Sequence, residues 1–173
     1  MEILRKKTKP IEKVDTKLIN LIQDMFYTMD LASGIGLAAP QINLGLSVTV
    51  VDISGIDEFK KVKPLVLINP KILDSNGESV IEEGCLSIPE IREEVSRPKE
   101  IFLQYSDFDL KEIQIEIKGF LSRVVQHEID HLNGKLFIDY LDDKQKKNVR
   151  KNLNLIKKGK VETAYPLQYH SKK

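Results

Sequence analysis

The stretch EIQIEIKGFLSRVVQHEIDHLNG, residues 112–134, changes its hydrophobic period midway and thereby predicts a strand that runs directly into a helix. Before Gly119 every second residue is apolar, a pattern typical of a half-buried antiparallel strand; the apolar residues are Ile113, Ile115 and Ile117. Gly119 marks the switch, and Gly134 suits the position just past the end of a helix. We therefore expect a helix over about residues 120–132.

The expected helix carries two of the chain's three histidines, His127 and His131, with Glu128 beside the first. Side chains four residues apart share one face of a helix, so both imidazoles can bind the same cation. In this HExxH pattern the glutamate serves as a base next to the metal. The same spacing also occurs in helices that bind no metal, so the hypothesis needs a third ligand.

A catalytic site for a divalent cation usually has three protein ligands and keeps one position open for water. His170 is the remaining histidine, but it lies in the polar stretch YHSKK near the end of the sequence, where side chains are typically solvated. Cys85, the only cysteine, follows Gly84 in EEGCLSIPE and is the better candidate. The alternatives are a merely buried cysteine and a structural zinc site, which would need a fourth protein ligand.

Helical patterns also occur near both ends of the chain. Asp15 is a candidate N-cap for a helix that ends before Ser33. Asp142 or Asp143 can cap a last helix through about Lys158. The apolar stripe of this last helix consists of Val149, Leu153 and Ile156.

Apolar runs rich in β-branched residues predict further strands at 47–54, 65–69, 101–105 and 136–141. DSNG at 74–77 is a turn signal, which predicts a hairpin between the apolar runs on either side of it. Strands in the middle and helices at both ends favour an α+β fold. In this fold antiparallel strands would pack around the helix that carries the histidines.

Length and composition indicate a soluble globular chain. We expect a single catalytic domain over residues 1–173, with a loosely ordered tail from about residue 160. The net charge of +1 gives no overall attraction to nucleic acid or membranes, and no run approaches the roughly 20 apolar residues of a membrane span. The charged stretch MEILRKKTKPIEKVD lacks the apolar part of a secretory signal, and the lone thiol favours a reducing compartment, so we expect a cytoplasmic protein.

Two local charge patterns predict contacts. Asp130, inside the histidine motif, is either a solvated carboxylate or an ion-pair partner that ties its helix to Arg97. Between Lys144 and Lys160 there are eight basic residues and no acidic ones. Such a run usually forms a solvated helix face, and the alternative is a binding surface for an anionic partner.

Three segments, GIGLAAPQ (34–41), EGCLS (83–87) and QHEIDHLNG (126–134), occur in an order and at a spacing that resemble the peptide deformylase family. The resemblance extends over most of the chain, from the first expected helix to the LFIDYL run. It implies an α+β fold. It also implies hydrolytic removal of the N-formyl group from the initiator methionine of newly made polypeptides, with release of formate.

The resemblance further implies the role of individual side chains. A metal-bound water would attack the formyl carbonyl, with Glu128 as general base and then general acid. The side-chain amide of Gln41 and the backbone N–H of Leu86 would stabilise the oxyanion. The expected cation is Fe(II) in the cell, with Zn, Ni or Co as substitutes. Its ligands would be Cys85, His127 and His131.

Substrate contacts also follow from the resemblance. Main-chain groups would hold the peptide in an extended pose at Ile35, Gly36 and Gly84. An apolar pocket near the metal helix would receive the methionine side chain, with Val125 and Ile129 as candidate walls. The expected partners are N-formyl-methionyl nascent peptides and, for the basic segment, ribosomal RNA; neither a membrane nor DNA is expected.

Two other functions stay open on the sequence alone. HExxH is equally a signature of metallopeptidases, whose third ligand comes from a downstream histidine or glutamate motif that is missing here. A non-enzymatic metal-binding module would instead show a closed coordination sphere. The cysteine ligand and Gln41 favour a deformylase over a metallopeptidase. Metal-edge spectroscopy or inhibition by a hydroxamate would distinguish the non-enzymatic module.

Overall fold

Three long helices and seven strands lie within residues 2–168, the part of the chain that the computed structural model describes. The helices are α1 (Thr16–Leu31), α2 (Gly119–Leu132) and α3 (Asp143–Lys157). The strands are β1 (Gly36–Ala38), β2 (Val48–Val51), β3 (Leu65–Asn76), β4 (Ser79–Cys85), β5 (Ile88–Arg97), β6 (Glu100–Ser106) and β7 (Glu112–Lys118). The order of these elements confirms the expected α+β fold.

The helix ends follow the capping signals of the sequence. Asp15 accepts a hydrogen bond from the backbone N–H of Leu18 at 3.1 Å, and Asp142 accepts one from Gln145 at 2.7 Å. These side chains satisfy N–H groups that have no partner within the helix. At the end of α2, Gly134 has a φ of +73°, a conformation that glycine adopts without strain. None of the helices in the described part is long and apolar enough to span a membrane.

The strands form two antiparallel sheets. The larger has the order β1-β2-β3-β6-β7, and the smaller consists of β4 and β5. Strand β7 pairs with β6 along its whole length, with the isoleucines of β7 at least half-buried and the polar residues between them exposed. The prediction from its alternating pattern is confirmed.

The prediction of a hairpin at DSNG is wrong, although the chain does turn there and Gly77 has a φ of +68°. Strand β3 continues through Asn76 and pairs with β2 and β6, whereas β4 pairs with β5 in the other sheet. A turn signal reports only where the chain reverses. Which strands then pair depends on the apolar faces that distant strands offer, and the sequence around the turn does not contain that information.

The strand expected at 136–141 is also wrong. The run LFIDYL forms a 3-10 turn at Phe137–Asp139, and the side chain of Asp139 accepts a hydrogen bond from the backbone N–H of Leu136 at 2.8 Å. Leu136, Phe137 and Leu141 are buried in a core cluster with β5 and α3. The run is apolar because it is buried, and a short apolar run does not by itself distinguish a strand from other buried structure.

Helix α2 lies between the two sheets, and this placement builds the site. One face packs into the core under the larger sheet through Val124, Val125 and Ile129. Toward the smaller sheet, Arg123 donates hydrogen bonds to the backbone carbonyls of Val95 and Ser79, at 2.9 and 2.5 Å. Polar residues of α2 are therefore buried against β4 and β5 rather than exposed to solvent.

Candidate active site

One thiol and two imidazoles converge where strand β4 ends beside helix α2. Ligand atoms of Cys85, His127 and His131 all lie within 4.8 Å of one another. Sγ of Cys85 is 3.2 Å from Nε2 of His131, and the two imidazole centroids are 5.1 Å apart. Cys85 reaches this place because β4 ends there and the chain turns back into β5. His170 lies outside the described residues.

His127 is oriented by a buried carboxylate, Glu83. The two side chains meet through Nδ1 of His127 and Oε2 of Glu83 at 2.9 Å, which leaves Nε2 of His127 for the cluster. A carboxylate on the far nitrogen fixes the tautomer and ring orientation of a ligating histidine. Burial opposes ionisation of Glu83, but hydrogen bonds with His127 and Arg97 outweigh it and lower the pKa of Glu83 to about 2.

Two buried arginines hold Glu83 in place. Arg97 donates to both of its oxygens, at 2.6 and 3.0 Å, and Arg123 donates to Oε1 at 2.8 Å. The same Arg97 donates to Asp130 at 2.6 Å, so of the two alternatives for the motif aspartate the structure shows the ion pair. Asp130 also accepts a hydrogen bond from the hydroxyl of Tyr140 at 3.0 Å. The network therefore joins β4, β5 and α2 behind the histidines.

The cysteine has the electrostatic surroundings of a metal-binding thiolate. Burial alone would raise the pKa of the Cys85 thiol, but His131 and His127, through charge and hydrogen bonding, hold it well below its ordinary value. Burial opposes protonation of His127, but its hydrogen bonds with Cys85 and Glu83 raise the pKa of the imidazole well above its ordinary value. The thiolate is the form of cysteine that binds metals.

Glu128 lies next to the ligands and is itself buried, with 4% of its surface exposed. Its Oε2 atom has no hydrogen-bond partner among the described residues. Burial raises the pKa of Glu128 to about 7, because the neighbouring histidines only partly offset the cost of a buried charge. A buried carboxylate with such a pKa, beside three potential ligands, has the properties of a general base.

The glycine loop packs directly on this carboxylate. A Cβ built on Gly36 would lie only 2.8 Å from Cδ of Glu128 and would contact its Oε1. A residue with a side chain at position 36 would therefore displace the carboxylate. The second glycine of GIGLAAPQ is thus explained by close packing against Glu128.

Gln41, the last residue of the same loop, also reaches the site. Its Oε1 accepts a hydrogen bond from the backbone N–H of Ala38 at 2.8 Å, which fixes the orientation of the amide. Its Nε2 then lies 3.7 Å from Sγ of Cys85 and 3.3 Å from Oγ of Ser87. The amide N–H groups are therefore directed toward the cluster. Leu86, which directly follows Cys85, lies in the turn between β4 and β5.

A cavity of about 700 Å³ opens over the cluster and has the size of a small-ligand site, about 300–1,000 Å³. The three residues expected to hold a peptide all line it: Ile35, Gly36 and Gly84. The expected walls of the methionine pocket do not, because Val125 and Ile129 face the core. The apolar residues of α2 that line the cavity are instead Phe120 and Val124.

Sequence reasoning missed the roles of Glu83, Arg123 and the segment 162–165, which also lines the cavity. A signal existed for Arg123, since it lies four residues before His127 and hence on the same face of α2. Glu83 is part of the EGCLS motif, but its partners come from other elements. The position of 162–165 depends on how α3 packs and has no local signal.

The donor set fits a divalent transition metal. One thiolate and two imidazoles suit Zn, Fe(II), Co or Ni, and three protein ligands correspond to a site that keeps a position for water. The unpartnered Oε2 of Glu128 supports the same interpretation, because buried polar atoms normally have a hydrogen-bond partner and a bound water would supply one. The cluster therefore matches a catalytic metal site better than a structural one.

Comparison with known proteins agrees with this geometry. A family model described as polypeptide deformylase matches residues 1–147. A peptide deformylase of Chlorobaculum parvum is 46% identical over 171 residues, which cover 99% of this chain and 91% of the relative. One of Chlorobaculum tepidum is 46% identical over 165 residues, which cover 95% of this chain and 88% of the relative.

Solved structures give the same result. The crystal structure of a peptide deformylase from Legionella pneumophila has a TM-score of 0.81 at 43% identity and covers 91% of this chain and 90% of that one. A peptide deformylase from Synechococcus elongatus, in complex with actinonin, has a TM-score of 0.81 at 37% identity and covers 96% of this chain and 88% of that one. From the site, the fold and these relatives together, the chain belongs to the peptide deformylase family.

Proposed function

We propose that the cluster around Cys85, His127 and His131 is the active site at which the chain removes the N-formyl group of newly made polypeptides. Deformylation is the activity of the family, and the chain is a metal-dependent hydrolase. The observation that carries the residue roles is the buried, unpartnered carboxylate of Glu128 beside three converging ligand atoms. Neither the metallopeptidase nor the non-enzymatic alternative is favoured by the relatives.

The metal would be held by the thiolate of Cys85 and the Nε2 atoms of His127 and His131. A bound divalent cation lowers the pKa of its water and polarises a carbonyl oxygen, so hydrolysis can proceed near neutral pH. Glu83 keeps His127 oriented for this task. For the cell we propose Fe(II), with Zn, Ni or Co as substitutes. The test is element analysis of protein purified without air.

Glu128 would transfer the protons of the reaction. It accepts the proton of the attacking water, and it later delivers a proton to the nitrogen of methionine as the C–N bond breaks, so that formate and a free amine are released. Its burial favours this role, because a carboxylate removed from bulk water keeps a pKa close to the working pH.

Gln41 and Leu86 would stabilise the negative charge that develops on the formyl oxygen. The Nε2 of Gln41 is directed into the site by the bond between its Oε1 and the Ala38 N–H. The backbone N–H of Leu86 directly follows the ligand Cys85 in the chain. Donors that are oriented before the reaction begins stabilise an oxyanion without reorganisation.

The peptide would lie along the cavity in an extended pose. Ile35, Gly36 and Gly84 line the cavity with backbone groups that can pair with such a chain. The methionine side chain would contact Phe120 and Val124, the apolar residues of α2 that line this cavity.

The decisive variant is Glu128→Ala. It should keep its metal, because the three ligands are unchanged, and lose turnover of formyl-Met-Ala by about 10²–10⁴-fold. Metal content by element analysis and formate release are measured on the same sample, with Glu58→Ala as an exposed control. A variant that hydrolyses formyl-Met-Ala near the parent rate would refute the role of Glu128. Cleavage of internal peptide bonds by the parent would favour a metallopeptidase.

Several broader assignments belong to the same proposal. The relative from Chlorobaculum parvum covers 99% of the chain, which supports a single catalytic domain over residues 1–173. Substrates made at the ribosome would require a cytoplasmic location. Contact with ribosomal RNA through the basic segment 144–160 is proposed from charge alone, because all eight basic residues of this segment are exposed.

A further inference from the structure

The chain turns back toward the active site after helix α3. Gly159 has a φ of +65°, and the backbone N–H of Lys160 donates to the carbonyl of Leu155 at 3.0 Å, which ends the helix and redirects the chain. Residues 162–165 then line the same cavity as the metal ligands. The cavity wall is thus formed in part by a segment far from every motif of the sequence.

The side chain of Tyr165 attaches this segment to the turn after β4, and the side chain of Thr163 makes a hydrogen bond within the segment. The hydroxyl of Tyr165 donates to the backbone carbonyl of Leu86 at 2.9 Å, directly beside the metal ligand Cys85. Thr163 donates to the carbonyl of Tyr165 at 2.5 Å. From 161 to 168 the odd-numbered residues are half-buried and the even-numbered ones exposed, as in an extended segment with one face on the protein.

The segment forms a wall and does not fill the site. About 700 Å³ of space remains over the cluster with residues 162–165 in place. Ligand-sized cavities begin at about 300 Å³, so room for a peptide is left. The segment therefore restricts the path of a bound peptide without blocking it.

The wall changes the charge of the groove. Glu82, Glu90 and Glu162 are exposed and line the cavity, and Arg92 is the exposed basic residue among the described lining residues. Arg92 lies 3.8 Å from Glu82, so these two charges largely offset each other. Neither Glu90 nor Glu162 has an ion-pair partner within residues 2–168. The groove is locally acidic although the chain carries a net charge of +1.

We propose that residues 162–165 form the part of the substrate site that contacts the residues following methionine, and that Glu162 makes this part select basic over acidic side chains. The inference rests on the proposed deformylase function. Tyr165 acts as a positioning residue, since its bond to Leu86 holds the wall beside the metal ligands. For an exposed charge the expected preference is modest, about 2–5-fold, and it should weaken as salt screens the interaction.

The experiment compares kcat/KM for formyl-Met-Ala, for formyl-Met-Ala-Lys-Ala and for formyl-Met-Ala-Glu-Ala at low salt. The parent should prefer the lysine peptide over the glutamate peptide by about 2–5-fold. Glu162→Gln should reduce this ratio toward one, and Glu162→Lys should invert it. Formyl-Met-Ala, used as the C-terminal amide so that no carboxylate occupies the tested position, is the reference for any general effect of either substitution. Glu58→Lys, at an exposed site that does not line the cavity, is the control for net charge.

Tyr165→Phe tests the attachment of the wall. Its control is Tyr27→Phe, because the side chain of Tyr27 on α1 is exposed. Loss of the hydroxyl should raise KM for the two longer peptides and reduce their ratio, while KM for formyl-Met-Ala stays constant. A purely structural role would change all three substrates together, and that result would overturn the assignment. An unchanged ratio in Glu162→Lys would also overturn it. Failure of the proposed function is distinct, because then the parent would hydrolyse none of the three peptides.

Discussion

Gly36 shows how tightly single residues determine the chemistry of this site. Its missing side chain leaves the space that the carboxylate of Glu128 occupies, with a hypothetical Cβ 2.8 Å from Cδ. Glu128 in turn is buried and has an oxygen without a hydrogen-bond partner in the described part of the chain. A motif glycine and a motif glutamate that lie far apart in the sequence therefore form one functional unit.

Gly36→Ala should reduce turnover while leaving the fold intact. The atoms that the new methyl group meets are the end of a side chain and can move, so the carboxylate is displaced and the backbone is not. A displacement of about 1 Å at a reacting group can cost about 100-fold in rate. The measurement is kcat for formyl-Met-Ala together with metal content and melting temperature. Gly45→Ala, where no atom lies within 4 Å, should behave like the parent. Equal kcat values for both variants would contradict the prediction.

At the scale of the elements, the C-terminal part of helix α2 makes two contacts with distant segments. Through Asp130 it pairs with Arg97 at the end of β5, and at Gly134 its end packs on the backbone near Arg5. The ion pair with Asp130 uses Arg97, the same arginine that holds Glu83 behind His127. The stability of α2 and the orientation of the ligands are thus linked.

Asp130→Asn should weaken this attachment. The amide keeps the shape of the side chain but loses the charge opposite Arg97, whose guanidinium is 3% exposed. Since Arg97 keeps its bonds to Glu83, we expect the free energy of unfolding to fall by about 1–3 kcal/mol, less than for a buried charge left without any partner. Urea unfolding measures this change in the free energy of unfolding, and Asp24→Asn on the exposed face of α1 is the control. An unchanged midpoint and unchanged metal content would show that Asp130 has no structural role.

Two glycines with positive φ lie at the ends of α2, and their replacement by alanine should destabilise the protein to different extents. A Cβ at Gly134 would lie 2.8 Å from the backbone of Arg5, whereas one at Gly119 meets no atom within 4 Å. Gly119→Ala should therefore lower the free energy of unfolding only by the cost of placing alanine at positive φ, about 1–2 kcal/mol. Gly134→Ala should lower the free energy of unfolding by roughly 1–3 kcal/mol more, because the backbone atoms of Arg5 cannot move aside. Urea unfolding of both variants decides, and equal losses would show that the close approach to Arg5 carries no cost.

At the scale of the whole molecule, two local surfaces carry opposite charge. The groove beside Cys85 and His127 carries Glu90 and Glu162, which have no ion-pair partners in the described residues. Helix α3 and the residues directly after it carry eight exposed basic side chains. Because the net charge is only +1, any attraction to an anionic partner must come from a local basic surface such as this one.

Lys147→Gln together with Lys151→Gln should weaken salt-sensitive co-sedimentation with ribosomes. The two lysines are exposed, lie one turn apart on α3 and make no ion pair in the described part of the chain. Removing two phosphate contacts lowers affinity and reduces its salt dependence. Turnover of formyl-Met-Ala should stay constant. The matched control changes two exposed lysines with the same spacing, Lys13 and Lys17. If both double variants sediment alike, α3 is not the contact surface.

Much of this molecule could be predicted from local patterns, because the features concerned depend on neighbours in the chain. Asp15 and Asp142 were identifiable as helix caps, since a cap binds N–H groups two or three residues away. The spacing of His127 and His131 already placed both imidazoles on one face of α2. Cys85 was proposed as the third ligand from its residue type, and its Sγ lies 3.2 Å from Nε2 of His131.

Tertiary structure alone decided what depends on packing between distant segments. It separated β3 and β4 into different sheets, buried LFIDYL as a 3-10 turn, and exchanged Val125 and Ile129 for Phe120 and Val124 at the cavity. It also brought residues 162–165 to the cavity that Cys85 and His127 line. Covering any apolar surface stabilises the fold, whichever segment covers it. Which segments pack together could therefore be seen only in the folded structure.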